Sequence, residues 1–186
     1  IRRVGNWAFF NCKLLRQINL KSVVEIGKAA FYGCNKLTEV ECGDKLETIG
    51  RYACYECSSL KHLKLPSIVT IEAGAFRYCS ALTDVELTER LETVESGAFS
   101  DCRRLERIAI PLKRGLCVHH VDMIDEYSQF DGCDQLVKVD LVGGIHKTIA
   151  SLHMESWRNE MQEEIHRINQ VLPDAQTRDK TDEIKQ

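Results

Sequence analysis

The sequence predicts an α/β repeat solenoid, a right-handed coil with a parallel sheet on its concave side and an amphipathic helical segment at its C-terminal end. Cysteines recur every 22 or 23 residues between positions 12 and 102. Apolar residues keep fixed distances from each of these cysteines, which is typical of stacked structural repeats. After residue 143 the apolar spacing changes mostly to three or four, which indicates a helix.

Six cysteines, called the ladder cysteines below, fix the register of the repeat. They are Cys12, Cys34, Cys57, Cys79, Cys102 and Cys133, spaced 22, 23, 22, 23 and 31 residues apart. An aromatic residue stands three positions earlier in five copies, at Phe9, Phe31, Phe76, Phe99 and Phe130, and Cys54 replaces it in the other. Leucine stands three positions later in all six copies, at Leu15, Leu37, Leu60, Leu82, Leu105 and Leu136.

Further apolar residues follow each ladder cysteine by six and eight positions. Together with the leucine they form an L-x-x-L-x-L pattern, which is the signature of a leucine-rich repeat. The last two apolar residues are two apart, so we expect them on one face of a short strand. The A-F-x-x-C block is expected to return as a helical or 3₁₀ turn that points phenylalanine and cysteine inward. Neighbouring copies then bury the apolar face that one copy cannot bury alone.

The chain resembles the BspA-type leucine-rich-repeat family. The segments that carry the resemblance are Leu60–Pro66, Val69–Ile71, Ala75–Cys79 and Leu82–Val85, and the match extends from residue 1 to about 142. The resemblance implies a curved solenoid used in protein recognition, from a family of bacteria and protists. It also implies that the C-terminal stretch is similar to helical tails on such proteins in diatom-like algae. The family brings no shared substrate or catalytic residue.

The predicted organisation has three parts. Residues 1–142 form the leucine-rich-repeat solenoid of about six coils, the first one partial, with an insertion at 112–127. Residues 143–173 form an amphipathic helical segment that caps the solenoid or docks a partner, and Pro173 ends it. Residues 174–186 are a linker and the start of a truncated helix. Because the chain opens inside a repeat and lacks an initial methionine, we expect it to be a piece of a longer protein.

Composition argues against several classes of protein. The 186 residues are 44% hydrophobic and 28% charged, as in a folded soluble domain. A net charge of -3 and scattered basic residues predict no nucleic-acid partner. No apolar run approaches the roughly 18 residues of a membrane span, so none is expected.

The cysteines also allow a metal or disulfide interpretation, which the repeat register makes weaker. Cys54 and Cys57 form a C-x-x-C pair, but both occupy positions that the repeat already explains, and no second ligand pair stands at a zinc spacing. Disulfides between adjacent coils are geometrically possible. We expect reduced thiols buried as small apolar side chains, which favours an intracellular site, although a surface or secreted location stays open.

The histidines are weighed in the same way. His119 and His120 lie near Cys117 and Asp122 in the insertion, at a spacing that matches no standard metal site. His146 and His153, seven residues apart beside the predicted helix stripe, are expected on its surface. We therefore predict no metal, cofactor or catalytic residue, and no enzyme activity.

The outward positions of the predicted strands form the candidate binding face. They follow each ladder cysteine by five and seven residues. The candidates are Gln17, Asn19, Glu39, Glu41, His62, Lys64, Asp84, Glu86, Arg107, Lys138 and Asp140. The face lacks the aromatic anchors of strong hot spots, so a ligand is expected to bind through charge. The alternative is a solvated face whose charges only support the sheet.

The predicted function is a non-enzymatic scaffold that binds a protein or peptide through its repeat surface. Two alternatives remain, a cell-surface or secreted adhesion module and a purely architectural segment of a larger protein. The sequence does not decide whether the concave face or the insertion at 112–127 is the binding surface.

Overall fold

The computed structural model of the chain describes residues 2–111, 116–118 and 128–142. These residues form short β-strands joined by turns, with no helix among them, so none there could cross a membrane. The strands are β1 (Arg3–Val4), β2 (Gln17–Leu20), β3 (Glu25–Ile26), β4 (Glu39–Cys42), β5 (Thr48–Ile49), β6 (His62–Leu65), β7 (Thr70–Ile71), β8 (Asp84–Leu87), β9 (Thr93–Glu95), β10 (Arg107–Pro111), β11 (Cys117–Val118) and β12 (Lys138–Val142). The amphipathic helix predicted at 143–173 lies outside the described residues.

Each coil contributes one short strand and one long strand, which belong to different sheets. The short strands form one sheet in the order β1-β3-β5-β7-β9-β11. The long strands form a four-stranded sheet, β12-β10-β8-β6, and a two-stranded sheet, β2-β4. Every strand pairing is parallel and joins equivalent positions of neighbouring coils. For example, Asp84 of β8 pairs with His62 of β6 and with Arg107 of β10. The predicted parallel-strand solenoid is confirmed.

The blocks that precede the ladder cysteines are successions of hydrogen-bonded turns and not a continuous helix. The predicted 3₁₀ turn is found only as single bonds to the carbonyl three residues earlier, as from the Cys34 N–H to the Phe31 carbonyl at 3.1 Å. Positive φ angles occur at two positions of these blocks. Five residues before a ladder cysteine they are found at Trp7, Ala29, Tyr52, Gly74 and Gly97. One residue before a ladder cysteine they are found at Asn11, Gly33, Glu56, Tyr78, Asp101 and Gly132. A left-handed residue cannot continue a right-handed helix. Alternate backbone N–H groups of each block bond to the next coil, as from Phe31 to the Ala53 carbonyl at 2.7 Å.

The core lies between the strands and these turns, as the repeat pattern predicts. Phe31, Phe76 and Phe99 are fully buried, and so are the ladder cysteines from Cys34 to Cys133. Phe76 and Phe99 stack with ring centroids 5.3 Å apart, and Phe99 and Phe130 stack at 5.6 Å. Cys54, itself 2% exposed, interrupts the stack between Phe31 and Phe76.

The predicted insertion at 112–127 contains a regular element. Cys117 and Val118 form β11, which pairs with Val94 and Glu95 of β9. Leu116 before them is buried, and its carbonyl accepts a hydrogen bond from the Val94 N–H at 2.8 Å. Because the short strand keeps its place in the repeat, the extra residues fall between β11 and the turn block that begins at Ser128. That stretch, 119–127, lies outside the described residues.

Candidate functional site

All eleven candidate binding residues lie on the outward side of the long strands β2, β4, β6, β8, β10 and β12, which we call the long-strand face. The strand alternation places them there, because the intervening apolar side chains point into the core. Asp84, Glu86, Arg107 and Asp140 are half-buried and the other seven are exposed. The strand pairings bring equivalent positions from neighbouring coils side by side.

Arg107 is the centre of the most connected part of the face. Its Nη1 lies 2.7 Å from Asp84 Oδ1 and 3.7 Å from Glu86 Oε1, and its Nε lies 2.7 Å from Asp140 Oδ2. Hydrogen bonds with Asp84 and Asp140 raise the pKa of Arg107 above its usual value. One guanidinium thus joins three consecutive long strands, β8, β10 and β12. We infer that the carboxylates of these coils are held in place by the sheet itself.

The two exposed lysines on the face each approach one of these carboxylates. Lys64 Nζ lies 3.2 Å from Glu86 Oε2, and Lys138 Nζ lies 3.6 Å from Asp140 Oδ1. The lysine side chains are 77% and 60% exposed, so each pair contributes at most about 1 kcal/mol. A partner could therefore displace either lysine at little cost in folding stability.

The carboxylates of β4 lie outside the Arg107 network. Among the long strands, β6 stands between β4 and the three strands that Arg107 joins. Glu39 Oε2 accepts a hydrogen bond from Gln17 Nε2 at 3.1 Å, and Glu41 Oε2 accepts one from Asn19 Nδ2 at 2.7 Å. Glu41 also forms an ion pair with Lys21. Both glutamates are exposed. Across the eleven positions, five acidic and three basic residues give the face a net charge of -2.

Inside the coil, the ladder cysteines form a series of thiol hydrogen bonds between successive coils. Each Sγ donates to the carbonyl three residues before the preceding ladder cysteine. These bonds run from Cys34 to Phe9 at 3.1 Å, and from Cys57 to Phe31, Cys79 to Cys54, Cys102 to Phe76 and Cys133 to Phe99 at 3.2 Å each. The ladder cysteines, Cys42 and Cys54 are not in disulfides. Because the thiol proton is used as a donor, the ladder position has a role beyond filling space.

Burial makes three of these thiols poor nucleophiles. It raises the pKa of Cys34 to about 11. The pKa of Cys79 and of Cys102 is also raised, mainly by burial. Since the thiolate is the reactive form, Cys34, Cys79 and Cys102 are expected to be inert in the folded protein.

Comparison with known proteins agrees with this architecture. The family model for the BspA type leucine-rich repeat region matches six copies over residues 2–116. The chain belongs to the BspA-type leucine-rich-repeat family. A search of curated proteins finds no match to it.

Two solved structures are similar to this BspA-type chain. A leucine-rich-repeat protein of T. pallidum has a TM-score of 0.65 and 31% identity, over 75% of this chain and 63% of its own. A leucine-rich-repeat protein of Bacteroides ovatus ATCC 8483 has a TM-score of 0.58 and 23% identity, over 75% of this chain and 37% of its own. This chain thus spans less than two thirds of either protein. Both proteins are bacterial. That the C-terminal stretch of this chain is similar to tails of such proteins in diatom-like algae stays a prediction.

The described part of this BspA-type chain holds no group of three or more histidine, cysteine or acidic side chains placed to bind a metal ion. Cys54 and Cys57 are both buried in the core, at 2% and 0% exposure. A hydrogen bond with Cys57 and burial raise the pKa of Cys54 well above its usual value. His119, His120, His146 and His153 lie outside the described residues.

Sequence analysis missed an aromatic surface on the turns of this BspA-type solenoid. We call it the aromatic strip, and it consists of Trp7, Phe10, Tyr32, Tyr52, Tyr55 and Tyr78. These residues occupy positions five, two or one before a ladder cysteine, where the repeat demands nothing apolar. The signal in the sequence is an aromatic residue two positions before the ladder cysteine in three successive copies, at Phe10, Tyr32 and Tyr55.

Proposed function

We propose that this chain is a non-enzymatic protein-binding module, and that the long-strand face binds an extended segment of a protein partner. The supporting observation is that polar side chains from six consecutive coils lie on the outward side of the long strands, in fixed register within β2-β4 and within β6-β8-β10-β12. Membership of the leucine-rich-repeat family agrees with such a role.

The internal pairing on the face divides it into two regions with different tasks. Asp84, Glu86 and Asp140 contact Arg107. With Lys64 beside Glu86 and Lys138 beside Asp140, three cations face these three carboxylates within the sheet. Glu39 is an exposed acceptor whose hydrogen bond comes from a neutral amide, and Glu41 accepts from a neutral amide and forms an exposed ion pair with Lys21. A basic or polar segment would replace these neutral donors without breaking the Arg107 network. We therefore place the recognition of charge at β2 and β4.

Reversing charge on β4 is expected to abolish partner capture. The Glu39→Lys/Glu41→Lys double variant places like charge against a basic segment, and such contacts cost several kcal/mol of binding free energy. The control variant Glu47→Lys/Glu92→Lys makes the same change of charge at exposed positions next to the short strands. Capture is measured by pull-down from lysate, with partners identified by mass spectrometry and titrated against salt.

The result that supports the proposal is a partner retained by the parent and by the control variant, and lost from the β4 variant. Its retention should also decrease with salt, because exposed charges are screened. Equal capture by the parent and the β4 variant would show that β4 does not recognise charge. An architectural segment without a ligand would capture no partner specifically.

We also propose that the module works in a reducing compartment, because its buried thiols serve as hydrogen-bond donors. The alternative of a surface or secreted adhesion module predicts cysteines oxidised in protein isolated without reductant. Thiol counting on such protein distinguishes the two.

A further inference from the structure

The contact between the second coil and the third coil lacks the pairing of long strands that joins the other coils. The second coil contains β3 and β4, the third contains β5 and β6, and the sheet of long strands is interrupted between β4 and β6. Other coils are joined by a backbone N–H four residues after the ladder cysteine, from Thr38 to the Arg16 carbonyl at 2.8 Å, Thr83 to Lys61 at 2.8 Å, Glu106 to Thr83 at 3.0 Å and Val137 to Glu106 at 3.1 Å. In residues 2–111, which the structure describes without a gap, no such bond runs from Lys61 to Thr38.

Polar side-chain contacts on the long-strand face also stop at this joint. Glu41 of β4 and Lys64 of β6 carry opposite charges seven residues after their ladder cysteines, yet each pairs away from the other. Glu41 contacts Asn19 and Lys21 on the side of the first coil, and Lys64 contacts Glu86 of the fourth coil. Among the described residues, no side-chain hydrogen bond or ion pair joins β4 to β6. The two long strands are therefore held by their outer neighbours and not by each other.

The other sides of the same joint are fully connected. The short strands β3 and β5 pair in the register of the repeat. In the turn blocks, the Phe31 N–H bonds to the Ala53 carbonyl at 2.7 Å, and the Gly33 N–H bonds to the Tyr55 carbonyl at 2.8 Å. Tyr32 and Tyr55 of the aromatic strip stack across the joint with their ring centroids 4.6 Å apart. A joint that is bonded along the short strands and the turns can open only along the long strands.

The core at this joint contains two cysteines where other coils have larger apolar residues. Cys42 of β4 occupies the position that Leu65 holds in β6, and Cys54 of the third coil replaces the phenylalanine of the other turn blocks. Smaller side chains make fewer van der Waals contacts across the joint. Val40 and Cys42 are half-buried, as is Ile18 of the first coil, whereas Leu65 is 1% exposed. On its inward side β4 thus has the burial of an end strand, although the third coil follows it.

We propose that the joint between the second and third coils is a hinge, at which β4 and β6 move apart while the short strands and the turn blocks stay joined. In stacked repeats each interface between neighbours stabilises separately, so local opening occurs first where the pairing is weakest. The hinge lies between the β4 carboxylates and the Arg107 network. Its opening changes the distance between these two regions and the curvature of the long-strand face. The inference concerns the chain without a ligand, so it does not depend on the proposed function.

Amide hydrogen exchange of the 186-residue chain, followed by NMR, tests where the joint opens. Glu106 and Arg107 hold the positions of Lys61 and His62 in the fifth coil, and their N–H groups bond to the preceding coil at 3.0 and 3.2 Å. We expect protection factors at least about tenfold lower at Lys61 and His62 than at Glu106 and Arg107. Phe31, on the turn side of the same joint, should remain protected. Equal protection of the four strand amides would show a closed joint, and low protection of Phe31 would show complete separation of the coils; either result overturns the proposal.

Methyl relaxation dispersion measures the motion itself. Val40 of β4 and Leu63 of β6 stand at equivalent positions on the two sides of the joint, and Val85 and Ile108 stand at the same position in the paired strands β8 and β10. Collective hinge motions occur on the microsecond to millisecond timescale that this experiment detects. We expect dispersion at Val40 and Leu63, and flat profiles at Val85 and Ile108. Flat profiles at all four residues would contradict a hinge.

Restoring the common residues of the repeat is expected to close the joint. Cys42→Leu/Cys54→Phe should raise the protection factors of Lys61 and His62 by at least about tenfold and remove the relaxation dispersion. Ile110→Leu is the control, because it changes the core at the position of Cys42 in the fifth coil and should alter neither measurement at the joint. Circular dichroism verifies folding, and Cys42→Leu decides alone if the double variant unfolds. Unchanged exchange and dispersion in a folded closing variant would overturn the proposal.

Discussion

Phe99→Ala is expected to lower the free energy of unfolding by about 3–5 kcal/mol, the range for truncation of a buried phenylalanine. Phe99 is fully buried, and its ring lies in the stack between Phe76 at 5.3 Å and Phe130 at 5.6 Å. Alanine would leave a cavity between two rings that backbone bonds to neighbouring coils hold in place, as from the Phe99 N–H to the Gln129 carbonyl. Guanidinium unfolding followed by circular dichroism measures the loss.

Phe9→Ala is the matched control, because Phe9 occupies the same repeat position in the first coil. It stacks with Phe31 at 5.2 Å but is only partly buried. Its truncation should cost clearly less than that of Phe99, since less apolar surface returns to water. Equal losses at the two positions would mean that burial within the stack does not set the contribution of each ring.

Gly50→Ala is expected to cost about 1–3 kcal/mol, the usual range for an overpacked core position. A Cβ at Gly50 would lie 2.9 Å from three backbone atoms of the preceding coil: Gly27 C, Ile26 O and Lys28 N. These atoms cannot rotate away, and the Gly50 N–H bonds to the Ile26 carbonyl at 2.8 Å. Two coils would have to separate to admit one methyl group. Thermal and guanidinium unfolding both measure the loss.

Gly5→Ala tests the same substitution at the same repeat position in the first coil. A Cβ there would meet nothing within 4 Å, so alanine should be neutral or stabilise by up to about 1 kcal/mol. Glu72 stands at this position in the coil after Gly50, where its carboxylate accepts the Arg51 N–H. If Gly50→Ala is as stable as the parent, the third coil can move far enough from the second coil to admit a side chain at this position.

The strands and core were predictable because every copy of the repeat makes the same demand. Leucines such as Leu60 and Leu82 recur three residues after the ladder cysteines. They are buried at the same position of each coil, so an apolar residue recurs there in the sequence with the period of the repeat. The outward polar positions follow from strand alternation alone. The eleven candidates lie on the outward side of the long strands, and their binding role stays a prediction.

Residue type signalled the turn conformation only in some coils. Glycine occupies left-handed positions at Gly33, Gly74, Gly97 and Gly132, but Trp7, Tyr52 and Tyr78 adopt the same conformation in other coils. Their conformation is imposed by the stacked coils, whose carbonyls accept the turn N–H groups. The short strand at Cys117 was also missed, because the extra residues that follow it hide the register. Opposite charges at Asp84 and Arg107 were visible in the sequence, whereas the bridging of three strands by one guanidinium required side-chain geometry.

Site-resolved thiol labelling is the most direct test of whether the cysteine ladder faces a common interior. The protein is treated with iodoacetamide in buffer and in guanidinium, and mass spectrometry gives the extent of modification at each cysteine. Modification of Cys34, Cys57, Cys79, Cys102 and Cys133 is expected only after unfolding, since all five are fully buried. Rapid alkylation of these five in buffer, at the rate of an unfolded chain, would contradict the stacked arrangement.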